Sequence, residues 1–162
     1  MSNQYQLTDQ VKLLQKAVLL SQDKFLILKR SPLAKTRAEQ WDLPGGNVLL
    51  PTSSVDLRDP HWPDLLREIK EETGFGLDVS IPTQPCYLTT YWEAKNQTYA
   101  VIAGYSLDLP TSIDPKSVRL SAEHTAWAWI TLAEFDQNQY DFGFAGQADG
   151  FITQIVHHAH HG

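Results

Sequence analysis

Apolar residues fall along this chain in short runs separated by turn-forming residues. Within Lys16–Arg30 two runs, AVLL and FLILKR, flank the polar Ser21-Gln22-Asp23, which predicts a β-hairpin. Tyr87–Glu93 and Thr98–Leu109 are rich in aromatic and β-branched residues around a Lys95-Asn96 loop, which predicts a second hairpin. Ala126–Ile130 reads as a further strand and Leu132–Asp136 as a short helical turn. The period becomes helical from about Pro63 to Thr73, with Gly74 just past the end. A terminal helix is expected over Gln147–His160, with Phe151, Ile152, Ile155, Val156 and Ala159 on one face. Residues 47–63, with Pro51, Pro60 and Pro63, read as irregular, and 110–119 as a loop. Strands and helices in mixed order predict an α/β layered fold, and 162 residues suit one domain spanning 1–162.

Composition narrows the function. Hydrophobic residues at 42% and charged residues at 20% are ordinary for a globular chain. A formal net charge of -6 opposes binding to a nucleic acid polymer, yet a small polyphosphate remains a possible substrate if divalent cations lie between the two. No apolar run approaches the ~20 residues of a membrane span. The N-terminal MSNQYQLTDQ lacks the apolar core of a signal peptide, and a single cysteine, Cys86, suits a reducing compartment. A cytoplasmic protein without a membrane partner is expected.

The segment Leu65-Leu66-Arg67-Glu68-Ile69-Lys70-Glu71-Glu72-Thr73-Gly74 carries the chemistry. On a helix of about 100° per residue, Leu65, Leu66, Ile69 and Thr73 share one arc. Glu72, Glu68 and Glu71 occupy the adjoining arc, at the border of the buried face. Like charges at this spacing repel by roughly 0.2–0.5 kcal/mol per pair when exposed, and more when partly desolvated. A hard cation such as Mg²⁺ or Mn²⁺ would offset that repulsion; so would Arg67 and Lys70 on an ordinary solvated helix.

The flanks favour the cation. Arg67-Glu68-Ile69-Lys70-Glu71-Glu72-Thr73-Gly74-Phe75, preceded by Leu43-Pro44-Gly45-Gly46, resembles the Nudix box: Gly, five residues, Glu, seven residues, then Arg-Glu-aliphatic-any-Glu-Glu-any-Gly-aliphatic. The first half departs from it. Thr52 stands where the box expects Glu after Gly46, while counting back from Arg67 lands on Asp59. A seven-residue loop insertion accounts for both, with Asp59 either replacing that Glu or capping the helix before Pro60.

The resemblance implies a Nudix-type α/β/α sandwich with a central mixed sheet. It also implies hydrolysis of a pyrophosphate bond in a nucleoside diphosphate linked to another moiety. Glu68, Glu71 and Glu72 would bind Mg²⁺ (or Mn²⁺), with the backbone carbonyl of Gly46. A further acid before a late strand commonly completes such a site, and Glu123 matches; Glu68 and Glu123 are both candidates for the base that takes the proton from water. Arg67 would pair with a box carboxylate and fix its rotamer. Arg30 is a candidate phosphate contact, or a solvated strand end. Tyr91, sixteen residues beyond Phe75, is where dinucleoside-polyphosphate members tend to place a substrate tyrosine, or else a packing residue. Trp127 and Trp129 are expected in the core, and His157, His158, His160 and His161 as a solvated tail or tag remnant. A homodimer is the expected oligomer if there is one. The rival function is a catalytically silent Nudix-fold nucleotide-binding or sensor module, which the intact glutamates disfavour. An isoprenyl diphosphate isomerase would need a cysteine motif that Cys86 does not supply.

Overall fold

A computed structural model describes residues 10–50 and 56–161; Pro51 and Thr52 lie outside the described residues. The first hairpin joins β1 (Val11–Ser21) to β2 (Lys24–Arg30), paired at Leu20↔Phe25. Gln22 makes the turn with a left-handed φ of 59°. Beyond this short ladder the strands part. β1 takes β4 (Gly45–Asn47) as an antiparallel neighbour and β6 (Thr98–Asp108) as a parallel one, while β2 pairs with β3 (Trp41–Asp42) and β7 (His124–Thr131). β5 (Tyr87–Glu93) lies at the edge against β6, closing the order β3-β2-β1-β6-β5.

Both faces of this mixed sheet are covered, which explains the unbroken run AVLL in β1: a strand between two layers has no solvent side. Ala17 and Leu19 face the layer built by α1 (His61–Thr73) through Trp62, Leu65 and Ile69. Val18 faces the opposite layer, filled by Phe135 of α2 (Leu132–Asp136) and Ile152, Ile155 and Val156 of α3 (Phe151–His161). The architecture is an α/β/α sandwich, as expected.

Several local expectations are corrected. Helix α1 begins at His61, earlier than Pro63, because a proline in the first turn removes an N–H that has no helical partner anyway. Pro60, not Asp59, occupies the capping position, and no side chain caps it. Asp59 instead takes a left-handed φ of 51°, accepts the Trp62 N–H on its backbone carbonyl and turns its carboxylate toward Arg58 at 3.7 Å. Trp129 packs on the core, its Nε1 donating to the Pro115 carbonyl at 2.8 Å, whereas Trp127 is 36% exposed. The terminal histidines do not form a tail, although His158 and His161 are exposed. They belong to α3, where the His157 ring meets Asp136 at 2.9 Å and the His160 ring packs against Phe25.

Candidate metal centre

The site forms where β4 runs beside β1 and hands the chain towards α1. Gly45 has a φ of 132°, and a Cβ there would stand 2.1 Å from the Gln15 carbonyl oxygen, so only glycine fits. This close approach lets the Gly45 N–H donate to Glu72 Oε2 at 3.1 Å. Gly46 leaves space of another kind. A Cβ at that position would touch the Glu68 carboxylate at 3.4–3.5 Å. The glycine pair thus seats two α1 carboxylates against the β4 backbone.

Electrostatics separate the three helix acids. Glu72 is 4% exposed, and burial pushes its carboxyl up to about 8 against the opposing effects of Lys16 and the Gly45 N–H. Glu68 is raised in the same direction by burial, with Arg67 opposing. Glu71 is exposed and receives Arg67 Nη1 at 2.8 Å. Arg67 also donates to Glu68 Oε1 at 3.0 Å, so it does pair with box carboxylates. Its third partner is Asp64, whose Oδ1 accepts from Nη2 at 2.8 Å and from Nε at 3.1 Å. Asp64 also accepts the Leu49 N–H at 3.2 Å, tying the loop after β4 to the helix. Sequence reading missed Asp64, although its i,i+3 spacing to Arg67 was a signal.

The start of β7 supplies the other side. Between Lys29/Arg30 and Ala126/His124 the register shifts, leaving Thr125 as an extra residue. Such a bulge re-aims the neighbouring side chains. Here His124 comes to lie across from Arg30, and its ring nitrogen falls within 4.8 Å of ligand oxygens of both Glu72 and Glu123. Glu123 is exposed, while its backbone carbonyl accepts the Ser31 N–H at 2.8 Å. His124 was not foreseen. It is 8% exposed, and burial lowers its pKa to about 4 despite the opposing charge of Asp42, so the ring is neutral. Its Nδ1 is buried with no hydrogen-bond partner among the described residues.

Arg30 and Tyr91 stand apart from this cluster in what they touch. Arg30 donates through Nη1 to Asp42 Oδ2 at 3.2 Å and through Nε to the Thr36 carbonyl at 3.0 Å. Asp42 is fully buried and also receives Lys16 Nζ at 2.9 Å and Arg37 Nη2 at 2.7 Å. Burial would raise its carboxyl, but Lys16, Arg37 and Arg30 together hold it below the usual range. Tyr91 lies on edge strand β5, level with Lys12 across β6, and its hydroxyl donates to Glu93 Oε1 at 2.9 Å.

The donor set suits a divalent cation: Glu72, Glu123 and a His124 ring nitrogen lie within 4.8 Å of one another, and Glu68 on the same helix face is a further carboxylate raised by burial. No family model matches the sequence, and no curated protein matches it. Solved structures do. The MutT protein from Methanosarcina mazei Go1 is similar at 25% identity and a TM-score of 0.57, covering 81% of this chain and 84% of that one. A Nudix hydrolase from Nitrosomonas europaea aligns at 22% identity and a TM-score of 0.62, over 94% and 88%. An Ap4A hydrolase from C. elegans aligns at 18% identity and a TM-score of 0.54, over 91% and 93%. The fold is that of Nudix hydrolases.

Proposed function

We propose that this chain is a divalent-cation-dependent Nudix-type pyrophosphohydrolase acting on a small nucleotide-type substrate. The observation that carries the reading is the cluster of Glu72, Glu123 and His124 beside the Gly45-Gly46 backbone, with Glu68 seated over Gly46. Glu68, Glu71, Glu72 and the Gly46 carbonyl would hold the cation. When bound, such a cation neutralises phosphate oxygens and lowers the pKa of its water. Glu123 or Glu68 would accept the proton from the attacking water, Glu123 from the solvent side and Glu68 from above Gly46. Arg67, itself anchored by Asp64, holds the rotamers of Glu68 and Glu71. The retained acids favour turnover over silent nucleotide binding.

Incubation with Mg²⁺ or Mn²⁺ and a panel of dinucleoside polyphosphates, nucleoside diphosphate sugars and nucleoside triphosphates tests the reading. Release of a nucleoside phosphate that stops on chelation is expected. Hydrolysis undiminished in excess chelator would overturn the cation requirement, and nucleotide binding without hydrolysis across the panel would favour a sensor module.

A further inference from the structure

We propose that His124 supplies a nitrogen ligand to the cation site it forms with Glu72 and Glu123, so that this site takes a first-row transition dication such as Mn²⁺ or Co²⁺ in preference to Mg²⁺. The inference rests on the reading of the site as a cation centre and adds a ligand to it that the glutamate-bearing helix does not contain.

Three observations carry it. First, a His124 ring nitrogen and carboxylate oxygens of Glu72 and Glu123 all lie within 4.8 Å of one another. Second, His124 is 8% exposed, and its Nδ1 has no hydrogen-bond partner among the described residues. A buried polar atom left unpaired is costly, and a cation held between Glu72 and Glu123 would give the His124 ring the partner it lacks. Third, the ring reaches this position through the extra residue Thr125, which breaks the alternation of β7 at its first turn into the sheet. Without the bulge His124 would share the face of Ala126, against the layer of α3.

The chemistry of the donor then sets the cation. Mg²⁺ prefers oxygen ligands in a near-ideal octahedron and gives up its waters reluctantly. Imidazole binds first-row transition ions more strongly, with affinity rising from Mn²⁺ towards Cu²⁺. Two carboxylates alone would leave Mg²⁺ and Mn²⁺ close competitors; one buried nitrogen added to them discriminates between the two.

Pulsed electron paramagnetic resonance of Mn²⁺ bound to the wild-type protein tests this directly, with isotherms for Mn²⁺ and Mg²⁺ on the wild type, His124→Gln and His124→Ala. A coupled nitrogen on the Mn²⁺ is expected, lost in both variants, with Mn²⁺ affinity falling at least about tenfold and Mg²⁺ affinity moving much less. Mn²⁺ bound without nitrogen coupling in the wild type overturns the ligand assignment while leaving the cation centre in place. Equal Mn²⁺ affinity in a folded His124→Gln protein overturns it as well. Absence of saturable binding by any of these dications overturns the cation centre itself. The spectrum needs no substitution, so it remains decisive even if a variant does not fold.

Discussion

Two buried carboxylates lie within the field of Lys16, and their surroundings differ. Asp42 is met by three cations, from Lys16, Arg30 and Arg37, and accepts the Leu43 N–H on its other oxygen. Glu72 has one backbone N–H and the field of the same lysine. Burial acts on both in the same direction, yet Asp42 ends below the usual carboxylate range and Glu72 rises to about 8. The acid with its countercharge built in serves the fold. The acid short of countercharge is the one available to a cation from outside.

Removing Asp42 separates the two roles most sharply. Asp42→Ala leaves Lys16, Arg30 and Arg37 without their shared partner and should lower stability by roughly 3–5 kcal/mol in urea unfolding. A loss too small to measure would mean that the three cations are satisfied elsewhere. Glu72→Gln should do the reverse: hydrolysis slows by at least about 10²-fold, while the metal-free protein melts no earlier than the wild type. An unfolded Glu72→Gln protein would make this carboxylate structural and erase the contrast.

Glu123→Gln comes next. As proton acceptor it should cost about 10²–10⁴ in turnover with folding intact, read at saturating substrate and cation. Near-wild-type turnover would leave Glu68 as the base.

Smaller effects should appear in the pH dependence of the melting temperature in chelator. A depressed Asp42 contributes stability above the ordinary carboxylate range that is lost as pH falls through its folded value. A raised Glu72 works with the opposite sign: its contribution is complete below 4.5 and is lost as pH rises through about 8. The chelated protein should therefore weaken at both ends, and Mn²⁺ should flatten the alkaline limb alone. If Mn²⁺ changed the acid limb instead, the assignment of the two acids would be reversed. The smallest effect belongs to Tyr91→Phe, which removes a hydroxyl engaged with Glu93 and should shift KM by no more than about tenfold at unchanged kcat.

The parts of this site legible in the sequence are those written in local spacing. The helical period places Glu68, Glu71 and Glu72 beside the core face, and Leu43-Pro44-Gly45-Gly46 marks the entry to the loop and helix. Asp42 and Lys16 escaped notice because their ion pair joins residues 26 positions apart, on strands that do not pair with each other. His124 escaped for a different reason. Alternation along Ala126–Ile130 gives no warning that the strand carries an extra residue at Thr125, so the face of its first side chain is unreadable from the pattern. Trp127 was misplaced in the core because the sequence does not say how far the covering layer extends. The start of α1 was misjudged because Pro63 reads as a breaker unless its place in the first turn is known.

The parallel pairing of β1 with β6 has a consequence for how the chain is made. Val11 is matched with Tyr99, so the central strand must wait 88 residues for the neighbour that completes it. At a synthesis rate of about 5–20 residues per second the wait is roughly 4–18 s. Throughout it Ala17–Leu20, fully apolar and lacking its long parallel partner, is a free edge open to other nascent chains. Loop closure over such a separation also slows folding, because its entropy is lost before the contacts form. Stalled nascent chains ending before Thr98 should therefore engage chaperones or aggregate, while chains that have cleared Asp108 should resist protease at β1; equal protection of both lengths would show that the hairpin with β2 already shields the strand.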